Sequence, residues 1–145
     1  MKDFHSGVAA VTLLAAAAYN ADNTPDAIDL QGFDAAEILL AIGVGGITFS
    51  GTNKVEFKLT HSDDDSTYTA VTTADMLGVT VASGGIIKSL IAAHAAAATY
   101  RFGYVGGKRY LKLLADFSGT HGTATPLAAI LLKGKPQLAP VADAA

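Results

Sequence analysis

The stretch Tyr100-Arg-Phe-Gly-Tyr-Val-Gly-Gly-Lys-Arg-Tyr-Leu-Lys-Leu-Leu-Ala-Asp-Phe117 decides the fold class of this chain. Tyr100, Phe102 and Tyr104 recur at period two, as do Leu111, Leu113, Ala115 and Phe117, so each half presents one apolar face in the manner of a β-strand. Between the halves, Gly106-Gly107 can supply the positive φ of a two-residue turn, and the whole reads as a tight hairpin. Lys54–His61 repeats the pattern. Val55, Phe57 and Leu59 point one way while Lys54, Glu56, Lys58 and Thr60 point the other, which predicts an antiparallel strand with one face on a core and one in water. The expected fold is all-β: a single-domain antiparallel β-sandwich of jelly-roll type.

Outward from these strands, Ala36–Ile42 is a nearly continuous apolar run, expected to be a central strand covered on both faces. Ala27–Leu30 reads as a short strand, Ile47–Phe49 as a stretch that resumes pairing, and Tyr68–Val71 as the return strand of the polar loop Ser62–Thr67. Thr72 or Thr73 can cap a helical turn through Met76. Ala92–Ala98 reads as a turn that leads into the Tyr100 strand, because so short an Ala run is easily overridden by its surroundings. Leu127–Lys133 is the last apolar strand. The turn-rich Asn20–Asp26 separates an Ala-rich N-terminal arm, residues 1–19, from the sandwich, residues 20–135. Residues 136–145, with Pro136 and Pro140, form an extended, exposed tail. Arm and tail together supply the interface candidates Val8, Val11, Leu13, Leu14, Tyr19, Pro136, Leu138 and Pro140.

A chain of 145 residues buries about 68–70% of its unfolded surface, enough for a self-sufficient core. Cysteine is absent, which excludes disulfides, thiolate metal sites and a cysteine nucleophile. A net charge of -3 with 10 Lys plus Arg provides no basic footprint, so no direct nucleic-acid contact is expected. The apolar half of the composition is rich in Ala and Gly, which favours close surface contact with proteins over deep ligand cavities. Val8–Tyr19 is apolar apart from Thr12, but it is shorter than the roughly 20 residues of a membrane-spanning helix. Asp3 offsets Lys2 ahead of it, so it reads as part of the mature chain rather than a signal peptide, and no membrane partner is expected.

Residues that could carry chemistry each have a plainer structural reading. His61 precedes Asp63, Asp64 and Asp65, and clustered carboxylates suit a hard cation. The spacing lacks the glycine and the distal glutamate of an EF-hand loop, so a solvated acidic turn is expected and no cofactor is called for. Asp116, Ser118 and His121 have the residue types of a catalytic triad, but they crowd one small-residue loop with no nucleophile elbow. His5 and His94 stand alone in Ala-rich contexts. Lys108 and Arg109 could grip an anion, but a charge pair that protects a sheet edge is the simpler expectation. No enzyme activity is expected.

Four segments carry a resemblance: Ile28-Asp-Leu-Gln-Gly-Phe-Asp34, Asn53-Lys-Val-Glu-Phe-Lys-Leu-Thr-His-Ser-Asp-Asp64, Tyr104-Val-Gly-Gly-Lys-Arg-Tyr110 and Asp116-Phe-Ser-Gly-Thr-His-Gly-Thr123. Together, over residues 27–141, they resemble a group of small proteins of tailed bacteriophages and prophages that occur among head-morphogenesis genes. The resemblance implies a virion component made in the host bacterial cytoplasm, a capsid decoration or cement protein. Its implied partners are the major capsid protein and further copies of itself, as dimer or trimer. It supplies no catalytic or binding residues. An alternative is a glycan-binding jelly-roll module, suggested by Leu59–Tyr68 followed by Lys108–Leu113, with Tyr68 as the exposed aromatic.

Overall fold

A computed structural model describes residues 1–143; the last two residues of the expected tail, Ala144 and Ala145, lie outside the described residues. Among the described residues ten strands form: β1 (Val8–Tyr19), β2 (Ile28–Asp29), β3 (Phe33–Ile42), β4 (Lys54–Ser62), β5 (Thr69–Ala70), β6 (Met76–Leu77), β7 (Ile86–Leu90), β8 (Ala98–Tyr104), β9 (Tyr110–Ser118) and β10 (Thr125–Pro136). One sheet has the order β1-β10-β3-β8-β6 and the other β2-β9-β4-β5, with β7 also paired to β4. The pairing is nested: β1 with β10, β2 with β9, β3 with β8 and β4 with β7, all antiparallel. Such wrapping of successive strand pairs across two packed sheets is a jelly roll.

Period-two alternation builds the core. Ile38 and Leu40 of β3, Val55, Phe57 and Leu59 of β4, Leu111 and Leu113 of β9, and Leu131 of β10 have no exposed surface. Each fully buried side chain of this size contributes about 1.5–3 kcal/mol. The outward residues of the two sheets differ in kind. On the β4/β9 face, Glu56 stands opposite Asp116, a like-charge pair that is relieved by the ion pairs Lys54–Glu56 and Lys58–Asp116. On the β10/β3 face, Leu39 stands opposite Ile130 and Ala41 opposite Ala128.

Four expectations are corrected. Tyr100–Phe117 is not a hairpin: β8 pairs with β3 and β6, and β9 with β2 and β4, so residues 105–109 arch from one sheet to the other. Of the two turn glycines only Gly107 has positive φ, at 72°. Residues 1–19 are not a free arm, because Val8–Tyr19 is an integral strand. Leu13 and Leu14 are both 3% exposed and lie where the register with β10 shifts, a bulge that turns two consecutive side chains inward. The run Ala36–Ile42 lies centrally in its sheet but is covered on one face only, since Leu39 and Ala41 remain partly exposed. Ile47–Phe49 belongs to the irregular connection between β3 and β4 and does not resume pairing.

Candidate functional site

At the end of the sandwich where β8 passes to β9, an open cleft of about 810 Å³ lies among Phe33, Glu37, Leu77, Tyr104, Lys108 and Lys135. Two cations at its rim, Lys108 and Arg109, are held in ion pairs. Arg109 holds the Asp29 carboxylate through two bonds, Nε to Oδ1 at 2.8 Å and Nη2 to Oδ2 at 2.7 Å. That fork lowers the carboxyl to about 2. Lys108 Nζ lies 3.6 Å from Asp63. The expected edge charges are therefore engaged in ion pairs rather than offered to an anion.

Beneath the cleft a buried polar couple joins the two sheets. The Tyr104 hydroxyl accepts the Lys108 N–H at 3.0 Å and lies 2.9 Å from His61 Nδ1. The hydroxyl thus ties the Lys108 backbone and the His61 ring together in one hydrogen-bonded chain. Burial pushes the His61 imidazole down and the Tyr104 phenol up, so neither changes charge near neutral pH. This couple fastens the arch to β4; period-two reading placed Tyr104 inward but gave no sign of its partner.

The acidic run is divided rather than convergent. Asp63 faces Lys108, whereas Asp64 accepts bonds from Ser62 Oγ and from the N–H groups of Ser66 and Thr67. Those bonds lower its carboxyl to about 2. Asp65 accepts the Tyr68 hydroxyl proton. Among the described residues no group of three or more His, Cys, Asp or Glu side chains could hold a metal ion. Tyr68 also carries Lys112 Nζ 4.1 Å from its ring centroid, which occupies a face that a sugar would stack upon.

The triad residues are likewise separated. His121 Nε2 contacts the Ser118 backbone carbonyl at 2.9 Å, and Asp116 is bound to Lys58. His94 Nε2 contacts the Gly43 carbonyl at 2.8 Å, and its ring stacks on Phe49 at 5.6 Å. A carbonyl can only accept, so both imidazoles donate from Nε2 and serve the loops at the opposite end of the sandwich, beyond Ile42 and Ser118. His5 pairs with Asp143 at the surface.

Of the interface candidates, Leu13 and Leu14 are core residues, so these two are withdrawn from any partner surface, while Val11 and Tyr19 are partly buried and pack against the core. Val8 and Tyr19 are partly exposed ends of β1. Pro136 ends β10; Leu138 is 88% exposed, and Pro140 is exposed beside it. The tail does not run free, because Gln137 N–H bonds Gly32 O and Val141 N–H bonds Ser6 O. A further outward surface with apolar side chains lies on the first sheet. There Thr12, Ile130, Leu39 and Arg101 form one row across four strands, and Ala10, Leu132 and Glu37 form the next. Ile130 is 44% exposed. Comparison with known protein families, with curated proteins and with solved structures finds no match.

Proposed function

We propose that this chain is a structural component of a tailed-phage virion, a decoration or cement protein that stabilises the head through protein contacts and without catalysis. Jelly rolls serve in viral shells and in lectins alike, so the fold leaves the choice to surface chemistry. The observation that carries the reading is the contrast between the two outer faces. One is laced with the ion pairs Lys54–Glu56 and Lys58–Asp116; the other presents Leu39, Ile130, Ala41 and Ala128 side by side. Specific protein interfaces have centres depleted of charge, and the β10/β3 part of the second face fits that description, with Arg101 and Glu37 beside it. The resemblance to head-region phage proteins names the partner, the major capsid protein.

The test is to assemble particles with and without the protein, and with a Leu39→Lys, Ile130→Lys variant. Complete particles should carry the protein on their heads and withstand higher temperature and osmotic shock. The variant should fold but leave the heads bare. The reading is overturned if the wild-type protein is missing from the heads, or if the lysine variant occupies them equally well.

A further inference from the structure

The edges of the two sheets are treated unequally. β6, at the end of the first sheet opposite β1, and β2 and β5, at the two ends of the second, are two residues long, and β7, which also borders β4, has five residues and carries Lys88. Beyond β2, the exposed side of β9 is closed by side chains: Asn23 Oδ1 accepts Ala115 N–H at 2.8 Å, Asn23 Nδ2 donates to Leu113 O at 3.1 Å, and Asp22 Oδ1 accepts Phe117 N–H at 2.7 Å. β8, covered on the side away from β3 only by the two-residue β6, carries Arg101. Short edges, charged edge residues and covered edges are the means by which sheets avoid pairing with other chains. β1 is twelve residues long, terminates its sheet, and contains no charged residue and no proline. Its irregularities are the two register shifts with β10 around Leu14 and a bond from the Tyr19 hydroxyl to the Ala15 carbonyl at 2.6 Å.

We infer that the outer edge of β1 pairs antiparallel with β1 of a second copy of this chain, joining two five-stranded sheets into one of ten. A two-fold axis sets every residue of the strand against a residue of the same strand, so any charge on β1 would be carried into the seam twice. β1 has none. Ala15, Ala16, Ala17 and Ala18 are all exposed, so small side chains flank the seam on both faces and the backbones can approach. At about 3.3 Å per residue the strand is roughly 40 Å long, and with a sheet about 10 Å thick the seam covers roughly 400 Å² per copy. The total of roughly 800 Å² falls below the range of stable specific complexes and in that of weak, transient ones, so a weak dimer is expected, with dissociation in the micromolar to millimolar range. The inference does not lean on the virion assignment. If both hold, pairing extends the apolar faces of the two copies into one surface.

Sedimentation velocity on the full chain, from about 1 μM to about 1 mM, should show a monomer–dimer equilibrium. Thr12→Lys with Ala16→Lys, both at exposed positions, should weaken the dimer by at least about tenfold while leaving the thermal melt unchanged. Thr69→Lys, on the short β5 edge, should leave it intact. Because the chain has no cysteine, single substitutions Ala10→Cys, Thr12→Cys, Ala16→Cys and Ala18→Cys give disulfides only between copies. Oxidation should cross-link most efficiently at the one position nearest the two-fold axis. A monomer at every concentration, a dimer indifferent to the edge lysines, or equal cross-linking at all four positions would each overturn the inference.

Discussion

Two glycines that look alike in the sequence do different work. Gly107 adopts φ of 72° with open space around its α-carbon. Gly106 has no such backbone demand, but a β-carbon there would lie 2.7 Å from Tyr104 Cε2 and 2.9 Å from Asp75 Oδ1. Gly106→Ala should therefore destabilise by about 1–3 kcal/mol through overpacking, whereas Gly107→Asn should be mild because Asn tolerates left-handed backbone. Chemical denaturation of the two variants checks the contrast; a harmless Gly106→Ala would mean the arch does not press on Tyr104. Removing the hydroxyl with Tyr104→Phe leaves His61 Nδ1 and Lys108 N–H without their partner. Stability should fall by about 1–3 kcal/mol, the cost of leaving buried polar groups unmade. Equal melting of Tyr104→Phe and wild type would show that this bond does not hold the arch.

At the scale of elements, β1 separates a strand from an arm. If Val8–Tyr19 were a free arm, Leu13→Ala and Leu14→Ala would be neutral. As core residues of an integral strand, each should cost about 2–5 kcal/mol, measurable in urea as a lower midpoint with little change in slope. The alternation in Lys54–His61 was legible from the sequence because charged and apolar residues mark the two faces. β1 was not legible, because a run of Ala has no polar side to announce which face is out, and the bulge at Leu13–Leu14 breaks the period. Asp22 and Asn23 looked like turn residues for a related reason. A side chain that substitutes for a missing strand has the same composition as one that ends a loop.

For the whole molecule, acid should act in two windows. His61 is held below its ordinary value by burial, so the unfolded chain binds the extra proton and stability should begin to fall as pH drops below about 6.5. Asp29 and Asp64, each lowered to about 2, and Asp75, lowered by its bonds to Thr72, stabilise the fold above about pH 4. That contribution is lost as pH falls from about 4 toward 2. Lys58, raised by Asp116, contributes up to about pH 10.5 and loses its effect above that. A urea-midpoint profile against pH should show both acid steps, and His61→Gln should remove the first. Stability that stays flat from pH 7 to 5 would contradict the burial of a neutral His61.

Local alternation was enough to establish strands, the all-β class and most of the core, because period-two burial is written residue by residue in apolar and charged types. Which strands pair is a different matter. The same Gly-Gly between two amphipathic strands serves a hairpin within one sheet or an arch between two, and only the competition of β3, β6, β2 and β4 for the edges of β8 and β9 selects the arch. The candidate surface has the same origin. Leu39, Ile130 and Thr12 are distant in sequence and form a row only because β10 lies between β1 and β3, and β1 becomes an open edge because no other strand among the described residues covers it.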